Sequence, residues 1–346
     1  MNKKHTIKDI AQLAGVSKGT VDRVLHKRGK VSQKALESVN AVLSEIEYEP
    51  NLIARNLKIN KIYTISVILP DPSFDSYWQP CFKGIEEAIK EFKAFNLSIK
   101  THYFNPEDNK SFITVNETVL NLAPDAVLLA PLFYKEALKL VEKYNQKKIV
   151  VNTFNNQVES NEIKHFVGQD LHRSGRVAAK LMEAIAKKGK ITIIHIDEKF
   201  KNAIHMQEKE KGFRNYFLEN ANSEYEITTL KLKRTNYDTK LNDFLQENKD
   251  LSGIFITTSK SYQIAKIINE SANNKISIIG YDLLDKNIDL LNQGIIDFLI
   301  NQNPKQQVYL GISSLVDHFI FGKELSYETL LPIDIINSEN ASYYIE

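Results

Sequence analysis

The chain has 346 residues, 45 Lys and Arg against 43 Asp and Glu, a net charge of +2 and a 42% hydrophobic fraction, the proportions of a soluble globular protein. That length exceeds one ordinary domain and suits a small module joined to larger α/β lobes. The longest apolar runs, such as Ile62 to Leu69, are strand-sized and exclude a membrane span, and the single Cys81 excludes an internal disulfide.

Charge is unevenly spread. Residues 1–61 hold 12 Lys and Arg against 6 Asp and Glu, and the remainder 33 against 37. A cationic module on a mildly acidic body is the electrostatic footprint of a polyanion binder. The stretch Met1 to Lys8 lacks the apolar core of an export signal, and the lone cysteine fits a reducing compartment, so a cytoplasmic location is expected.

Thr6 is a good N-cap with Asp9 three residues on, and Ile7, Ile10, Ala11 and Ala14 follow at helical spacing, so a helix starts at Ile7. Gly15 ends it, and Ser17 caps a second helix with Val21, Val24 and Leu25 on its inner face. Two short helices joined this closely read as helix-turn-helix. On the second, Lys18, Gly19, Asp22, Arg23 and His26 share the opposite face and would meet the major groove. Arg23 suits a bidentate bond to guanine, Lys18 a base or phosphate, and Ser17 and Thr20 phosphate oxygens. Thr6 and Lys30 complete the DNA-contacting set around this helix. Asp22 is the awkward member, because a carboxylate near phosphates is repulsive unless it accepts from a cytosine amino group. Ser32 caps a third helix whose stripe of Leu36, Val39, Leu43 and Ile46 is core. Tyr48-Glu49-Pro50 stops it, and Asn51 can cap one further short helix, Leu52 to Lys58, containing Ala54, Arg55 and Leu57.

The series Thr6-Ile7-Lys8-Asp9-Ile10-Ala11, Ala14-Gly15-Val16-Ser17, Thr20-Val21, Arg23-Val24-Leu25, Val31-Ser32, Tyr48-Glu49-Pro50-Asn51 and Ala54-Arg55-Asn56-Leu57 resembles the LacI family of bacterial regulators. The resemblance implies that the last short segment is a hinge helix that folds on operator DNA beside its dimer mate. Leu57 matches the leucine that such helices wedge into the central base step, where unstacking is repaid by a kink that brings more protein onto the duplex. Asp22 departs from the family's small hydroxyl residue, and Gly19 from its base-reading side chain, which leaves the operator sequence open.

From Ile62 onward, strand-like and helix-like segments alternate, the sign of parallel sheets with helices on both faces. Predicted strands are Ile62 to Leu69, Leu97 to Tyr103, Ala126 to Leu129, Ile149 to Asn152, Ile191 to Ile196, Glu226 to Leu232, Gly253 to Ile256, Ile276 to Gly280 and Ile295 to Ile300. Two such sheets place their strand ends at a shared cleft, where open α/β folds bind ligands.

Thr153-Phe154-Asn155, Phe166-Val167-Gly168-Gln169-Asp170 with Gly175-Arg176 and Ala178-Ala179, Lys211-Gly212-Phe213, Ile279-Gly280-Tyr281-Asp282 and Ile300-Asn301-Gln302-Asn303-Pro304 carry a second likeness. They resemble the periplasmic-binding-protein-like sensor of the same family, in the branch shared with ribose-type sugar binders. The implied fold is α/β: a small all-α helix-turn-helix domain, then a two-lobed type I binding-protein domain with parallel sheets. The implied domains are 1–50 for DNA, 51–61 for hinge helix and linker, and 62–346 for the effector. Within the last, an N-lobe covers about 62–168 and 302–330, and a C-lobe about 169–301 and 331–346. Carried over residue by residue, the effector set is Asp75, Tyr77, Trp78, Thr153, Asn155, Asp170, Gln207, Thr258, Asp282 and Gln302. Aromatic faces stack on sugar C–H surfaces while carboxylates and amides bond hydroxyls. Gln207 stands where sugar binders often have arginine, which argues against an anionic ligand, although His205 is near enough to substitute.

The expected function is therefore a transcription regulator that binds a pseudo-palindromic operator in double-stranded DNA as a homodimer, under control of a small-molecule effector, a neutral sugar or derivative. A transport-associated sugar-binding protein shares the body's fold but calls for an export signal and no DNA module. An enzyme is not expected, and neither a cofactor nor a metal: zinc-ligand spacing, a phosphate-binding Gly-rich loop and a nucleophile elbow are all lacking. No leucine-heptad tail follows Tyr343-Tyr344-Ile345-Glu346 to support a tetramer.

Overall fold

The computed structural model describes residues 5–25, 28–46, 61–196, 204–220, 224–233, 235–271 and 275–345. The chain forms two compact units, Met1–Ile59 and Asn60–Glu346. Among the described residues, no helix is long and apolar enough to cross a membrane.

In the first unit, a capping box opens α1 (Ile7–Leu13): Asp9 N–H donates to Thr6 Oγ1 at 3.3 Å, and Thr6 N–H to Asp9 Oδ2 at 2.8 Å. Gly15, at φ 64°, supplies the left-handed residue that turns the chain into α2 (Lys18–Leu25). Ser32 caps α3 (Gln33–Glu45). Ile10, Val21 and Val39 are fully buried where the three helices meet, with Val24, Leu25, Leu43 and Ile46 packed around them. Leu36, expected in that stripe, is only half-buried.

The second unit alternates as the sequence predicts. Its first lobe holds β1 (Tyr63–Pro70), α4 (Gln79–Glu91), β2 (Leu97–Phe104), α5 (Asn109–Leu122), β3 (Ala126–Leu129), α6 (Tyr134–Gln146), β4 (Val150–Phe154) and β5 (Ile163–Gly168). The second holds α7 (Leu171–Ile185), β6 (Gly189–Ile196), α8 (Ile204–Glu219), β7 (Tyr225–Leu232), α9 (Tyr237–Glu247), β8 (Leu251–Ile256), α10 (Ser261–Ser271), β9 (Ser277–Tyr281), α11 (Asp285–Asn292) and β10 (Phe298–Asn301). Helix α12 (Pro304–Phe321) returns to the first lobe, β11 (Glu328–Leu330) joins its sheet, and β12 (Asp334–Ile336) joins the other.

The first sheet runs β11-β5-β4-β3-β1-β2, all parallel; the second runs β12-β10-β9-β8-β6-β7, parallel except for the β10–β12 pair. Both are covered on both faces, which explains their near-continuous apolar strands. In β1, Ile65, Val67 and Leu69 pack under α4 and α12 while Ile68 packs with Phe112 and Tyr144 on the other side. In the second sheet, Ile191 and Ile193 face α7 and α8, and Ile194 and Ile196 the opposite layer.

The chain passes between sheets after Gly168, after Asn301 and between Leu330 and Asp334. Gln169 ties these three passages together. It is buried, and its Nε2 donates to Asn301 O at 2.9 Å and to Pro332 O at 2.6 Å, while Leu331 N–H donates to Gly168 O at 2.7 Å. Three adjacent passages are the geometry on which two lobes can close over a ligand.

Candidate functional site

In the first unit, Ser17 just before α2 and Lys18, Gly19 and Arg23 on it are exposed, with Thr20 and Asp22 half-buried beside them. Thr6 and Lys30 are exposed as well. The start of α2 is held by Ser17, whose Oγ accepts from Thr20 N–H at 3.1 Å and shares a 2.9 Å bond with Thr20 Oγ1. Gly29, at φ 68°, supplies a left-handed turn after α2, and a methyl group there would lie 3.8 Å from Arg23 Cδ. His26, Asn51, Ala54, Arg55 and Leu57 lie outside the described residues.

In the second unit, the C-terminal ends of the strands of both sheets border one cleft of ≈ 180 Å³. At ~10–15 Å³ per water, that is room for about 12–18 waters, enough for one monosaccharide. Asp75, Tyr77, Trp78 and Asn155 from the first sheet, and Thr258, Asp282 and Gln302 from the second, all line it as the sequence places them. The loop after β1 is fixed by Asp75, whose carboxylate accepts from Tyr77 N–H at 3.1 Å, and Trp78 packs edge-on against Tyr77 and Phe154.

Two residues enter the cleft from left-handed backbone, Asn155 at φ 70° and Asp282 at φ 67°. Both follow a strand, and both are held by the neighbouring strand: Asn155 N–H donates to Val167 O at 2.9 Å and Asp282 N–H to Ile300 O at 3.0 Å. Asn and Asp tolerate this conformation better than other side chains, and it sets both among the residues lining the cleft. Asn155 Nδ2 donates to the Tyr77 hydroxyl. Asp282 accepts from Gln302 N–H at 3.1 Å and from Gln302 Nε2 at 2.8 Å. Asn287 clamps the turn from behind, donating to Ser259 O, Tyr281 O and Asp282 O at 2.8 to 3.0 Å.

Three expected residues are not brought to the cleft. Thr153 is fully buried within β4; Asp170 is spent as the N-cap of α7, accepting from Arg173 N–H at 2.8 Å; Gln207 is exposed on α8. The same helix instead presents Lys209, 2% exposed, which lines the cleft together with His205. Its Nζ donates to Thr257 O at 3.2 Å and sits 3.6 Å from the centroid of the Tyr281 ring. Phe74, Glu107, Phe133 and Lys260 also line the cleft and were not anticipated; Lys260 Nζ stands 3.8 Å from Asp75 Oδ2.

The rotation of α8 is set by its crossing with α7. A methyl group on Gly212 would lie 1.9 Å from His172 O, and one on Gly175 2.0 Å from Lys209 O, so both helices approach to backbone contact only because both residues are glycine. A polar network fixes the helix from the other side. His195 Nε2 donates to Glu210 Oε2 at 2.6 Å, Arg214 Nε and Thr229 Oγ1 donate to Glu210 Oε1 at 2.8 and 2.6 Å, and His195 Nδ1 is bonded to Thr257 Oγ1 at 2.8 Å. Burial pushes the Glu210 carboxyl up, but these donors outweigh it and hold the group down at about 2.

Burial pushes Lys209 below the usual lysine range, with Asp282 opposing the shift, and pushes Asp282 above the usual carboxylate range, with Lys209 and Gln302 opposing. Burial, Lys209 and His195 hold His205 down at about 3, so its imidazole is neutral. Thr258 Oγ1 is buried with no hydrogen-bond partner among the described residues.

A helix-turn-helix unit and a two-lobed body with a polar and aromatic cleft, in one chain, define a DNA-binding protein that carries its own small-molecule sensor. Residues 6–51 match the bacterial regulatory proteins of the lacI family, and residues 65–324 match the periplasmic binding protein domain. The chain belongs to the LacI family of regulators, with a periplasmic-binding-protein body. It is 26% identical over 289 residues to the ribose operon repressor of Lactococcus lactis, covering 80% of each chain. A solved structure from Bacteroides fragilis, described as a LacI transcriptional regulator, superposes with a TM-score of 0.76 at 31% identity, over 82% of this chain and 100% of that one. A solute-binding protein of Burkholderia graminis, solved with D-arabinose, shares the fold of the body at a TM-score of 0.71 and 18% identity, over 83% and 99% of the two chains.

Proposed function

We propose that the protein is a cytoplasmic transcription regulator that grips operator DNA as a homodimer and releases or tightens that grip when a neutral sugar or polyol occupies the cleft. One observation carries the reading: an exposed face bearing Lys18 and Arg23 on a capped second helix shares a chain with a monosaccharide-sized cleft. In this reading residues 1–50 read DNA, 51–61 form the hinge and linker, and 62–346 sense the effector. Arg23 reads a guanine edge, and Ser17, Lys18, Thr20 and Lys30 hold phosphates. Two copies place two such helices about one helical turn apart on a pseudo-palindrome. Closure of the lobes about the three passages changes the separation of the two readers, a coupling typically worth about 1–3 kcal/mol. Curated relatives such as the Lactococcus lactis ribose operon repressor support both halves of the reading.

Selection of binding sites from random duplexes tests it. The full chain enriches an inverted repeat, and Arg23→Ala relaxes preference at one base pair per half-site by about 1–3 kcal/mol. Enrichment of no sequence, with sugars both absent and present, would refute the proposal.

A further inference from the structure

Gly19 is the one glycine whose presence the fold does not explain. Of the 13 glycines in the chain, five take a positive φ, and seven others would place an added methyl group within 2.7 Å of a neighbouring atom. Gly19 does neither. It sits exposed in the helical backbone of α2, and among the described residues the nearest atom to an added methyl group is Ser17 Oγ, at the 3.8 Å of ordinary contact. Glycine is a poor helix former beside alanine, so α2 loses stability at this position with no return inside the chain. What needs the missing side chain lies outside the chain.

Taking α2 as the DNA-reading helix of the proposed function, we infer that Gly19 is a specificity-determining residue, a notch in the reading face that admits the C5-methyl group of a thymine. Lys18 precedes it, and Asp22 and Arg23, three and four residues on, share its face of the helix. The notch is therefore an opening one side chain wide between charged neighbours. Ser17 Oγ beside it is already bonded to Thr20 N–H and to Thr20 Oγ1, so it is engaged within the chain and not held out to a polar base edge. Among the groups that base pairs present in the major groove, the thymine methyl is the one that is apolar and protrudes. Against Gly19 it reaches the helix backbone; any larger residue holds it off. Four residues separate Gly19 from Arg23, ~6 Å along the helix and about two base-pair steps, so the thymine lies within about two base pairs of the guanine that Arg23 reads.

Anisotropy titration of the full-length protein on its selected duplex decides the matter, with the thymines near that guanine replaced one at a time by deoxyuridine, which lacks only the methyl group. One replacement weakens the wild type about 4-fold, the worth of one buried methyl group, and weakens Gly19→Ala by less. On the unmodified duplex Gly19→Ala binds about 10-fold or more weakly than the wild type. Amide hydrogen exchange in α2 of the same full-length variant is unchanged or slower, as the better helix propensity of alanine requires. Faster exchange there would make Gly19 a structural residue and overturn the inference. A wild type indifferent to every thymine methyl, an equal deoxyuridine penalty in Gly19→Ala, or a variant that binds as tightly as the wild type overturns it too, and in each of these cases the DNA-binding reading stands. Enrichment of no duplex at the selection step overturns that reading and the inference with it.

Discussion

The two walls of the cleft are built on different principles. The wall from the first sheet is largely aromatic, with Phe74, Tyr77, Trp78 and Phe133, and much of it doubles as the core of its own lobe: Trp78 is packed on Phe154 and Tyr77 is buried. The wall from the second sheet carries His205, Lys209, Thr258 and Asp282, held in place by the His195–Glu210–Arg214 network and the Asn287 clamp. The stacking rings come from the first side, which also carries Asp75, Glu107 and Asn155, while both lysines and Asp282 come from the second. Stacking is tolerant of which sugar is stacked; oriented hydrogen bonds to charged groups are not. On the proposed function, the rings of the first wall set affinity in general and the buried charges of the second set which ligand is chosen.

The largest test of that division is Asp282→Ala. It removes a charged acceptor held at two points by Gln302 and leaves Lys209 without its counter-charge. A drop in effector affinity of about 100-fold is expected, with the thermal shift on adding sugar abolished. Retention of the shift would move the binding site away from this wall.

Next in size is the pH dependence of binding. Burial raises Asp282 above the usual carboxylate range, with Lys209 and Gln302 opposing, and lowers Lys209 below the usual lysine range, with Asp282 opposing. A hydroxyl ligand that bonds both groups needs the carboxylate ionised and the ammonium protonated. Affinity is therefore highest near neutral pH, falls in mild acid as Asp282 gains a proton sooner than an ordinary carboxylate, and falls in mild base as Lys209 loses one sooner than an ordinary lysine. Asp75, Glu107, Lys260 and His205 face the same cavity, and His205, held at about 3, stays neutral throughout. A flat profile from pH 5 to 9, by titration calorimetry, would remove the pair from the binding step.

The smallest effect belongs to the first wall. Phe74 lines the cleft and is 48% exposed, so its truncation leaves the core alone. Phe74→Ala weakens every sugar by a similar, few-fold factor, on the order of 0.5–1.5 kcal/mol. A change in the ranking of sugars would break the distinction between the walls.

Much of this was legible in the sequence because its signals are local. Thr6 with Asp9, Gly15 and Ser17 announce their caps and turn within a few residues; β3 is an unbroken apolar run, and β1 and β6 are rich in Ile, Val and Leu. The strands that escaped notice lack that signal. Lys164 and His165 interrupt β5, and β11 and β12 are three-residue edge strands, too short to carry a pattern of their own. The predicted strand at Ile295 begins instead at Phe298, because Gly294 at φ 72° turns the chain and Ile295 and Ile296 bond back to Leu290. In the cleft, Asp75, Asn155 and Asp282 were placed by the family resemblance, and each follows a strand whose end borders the cavity. On α8 the expectation fell on Gln207 and the structure presents Lys209. Two residues on a helix lie about 200° apart, so one misjudged face exchanges them, and the face is decided by the Gly175–Gly212 crossing with another helix. Spacing along one segment holds no information on that contact.

The central claim is that occupancy of the cleft is felt at the DNA. Its most direct measurement is operator affinity of the full-length wild type, by fluorescence anisotropy on a selected duplex, as the tightest-binding neutral sugar is titrated. A saturable change of about 5- to 150-fold is predicted, with the midpoint at the sugar's own dissociation constant. An operator affinity that stays constant while calorimetry shows the cleft filled would contradict the account.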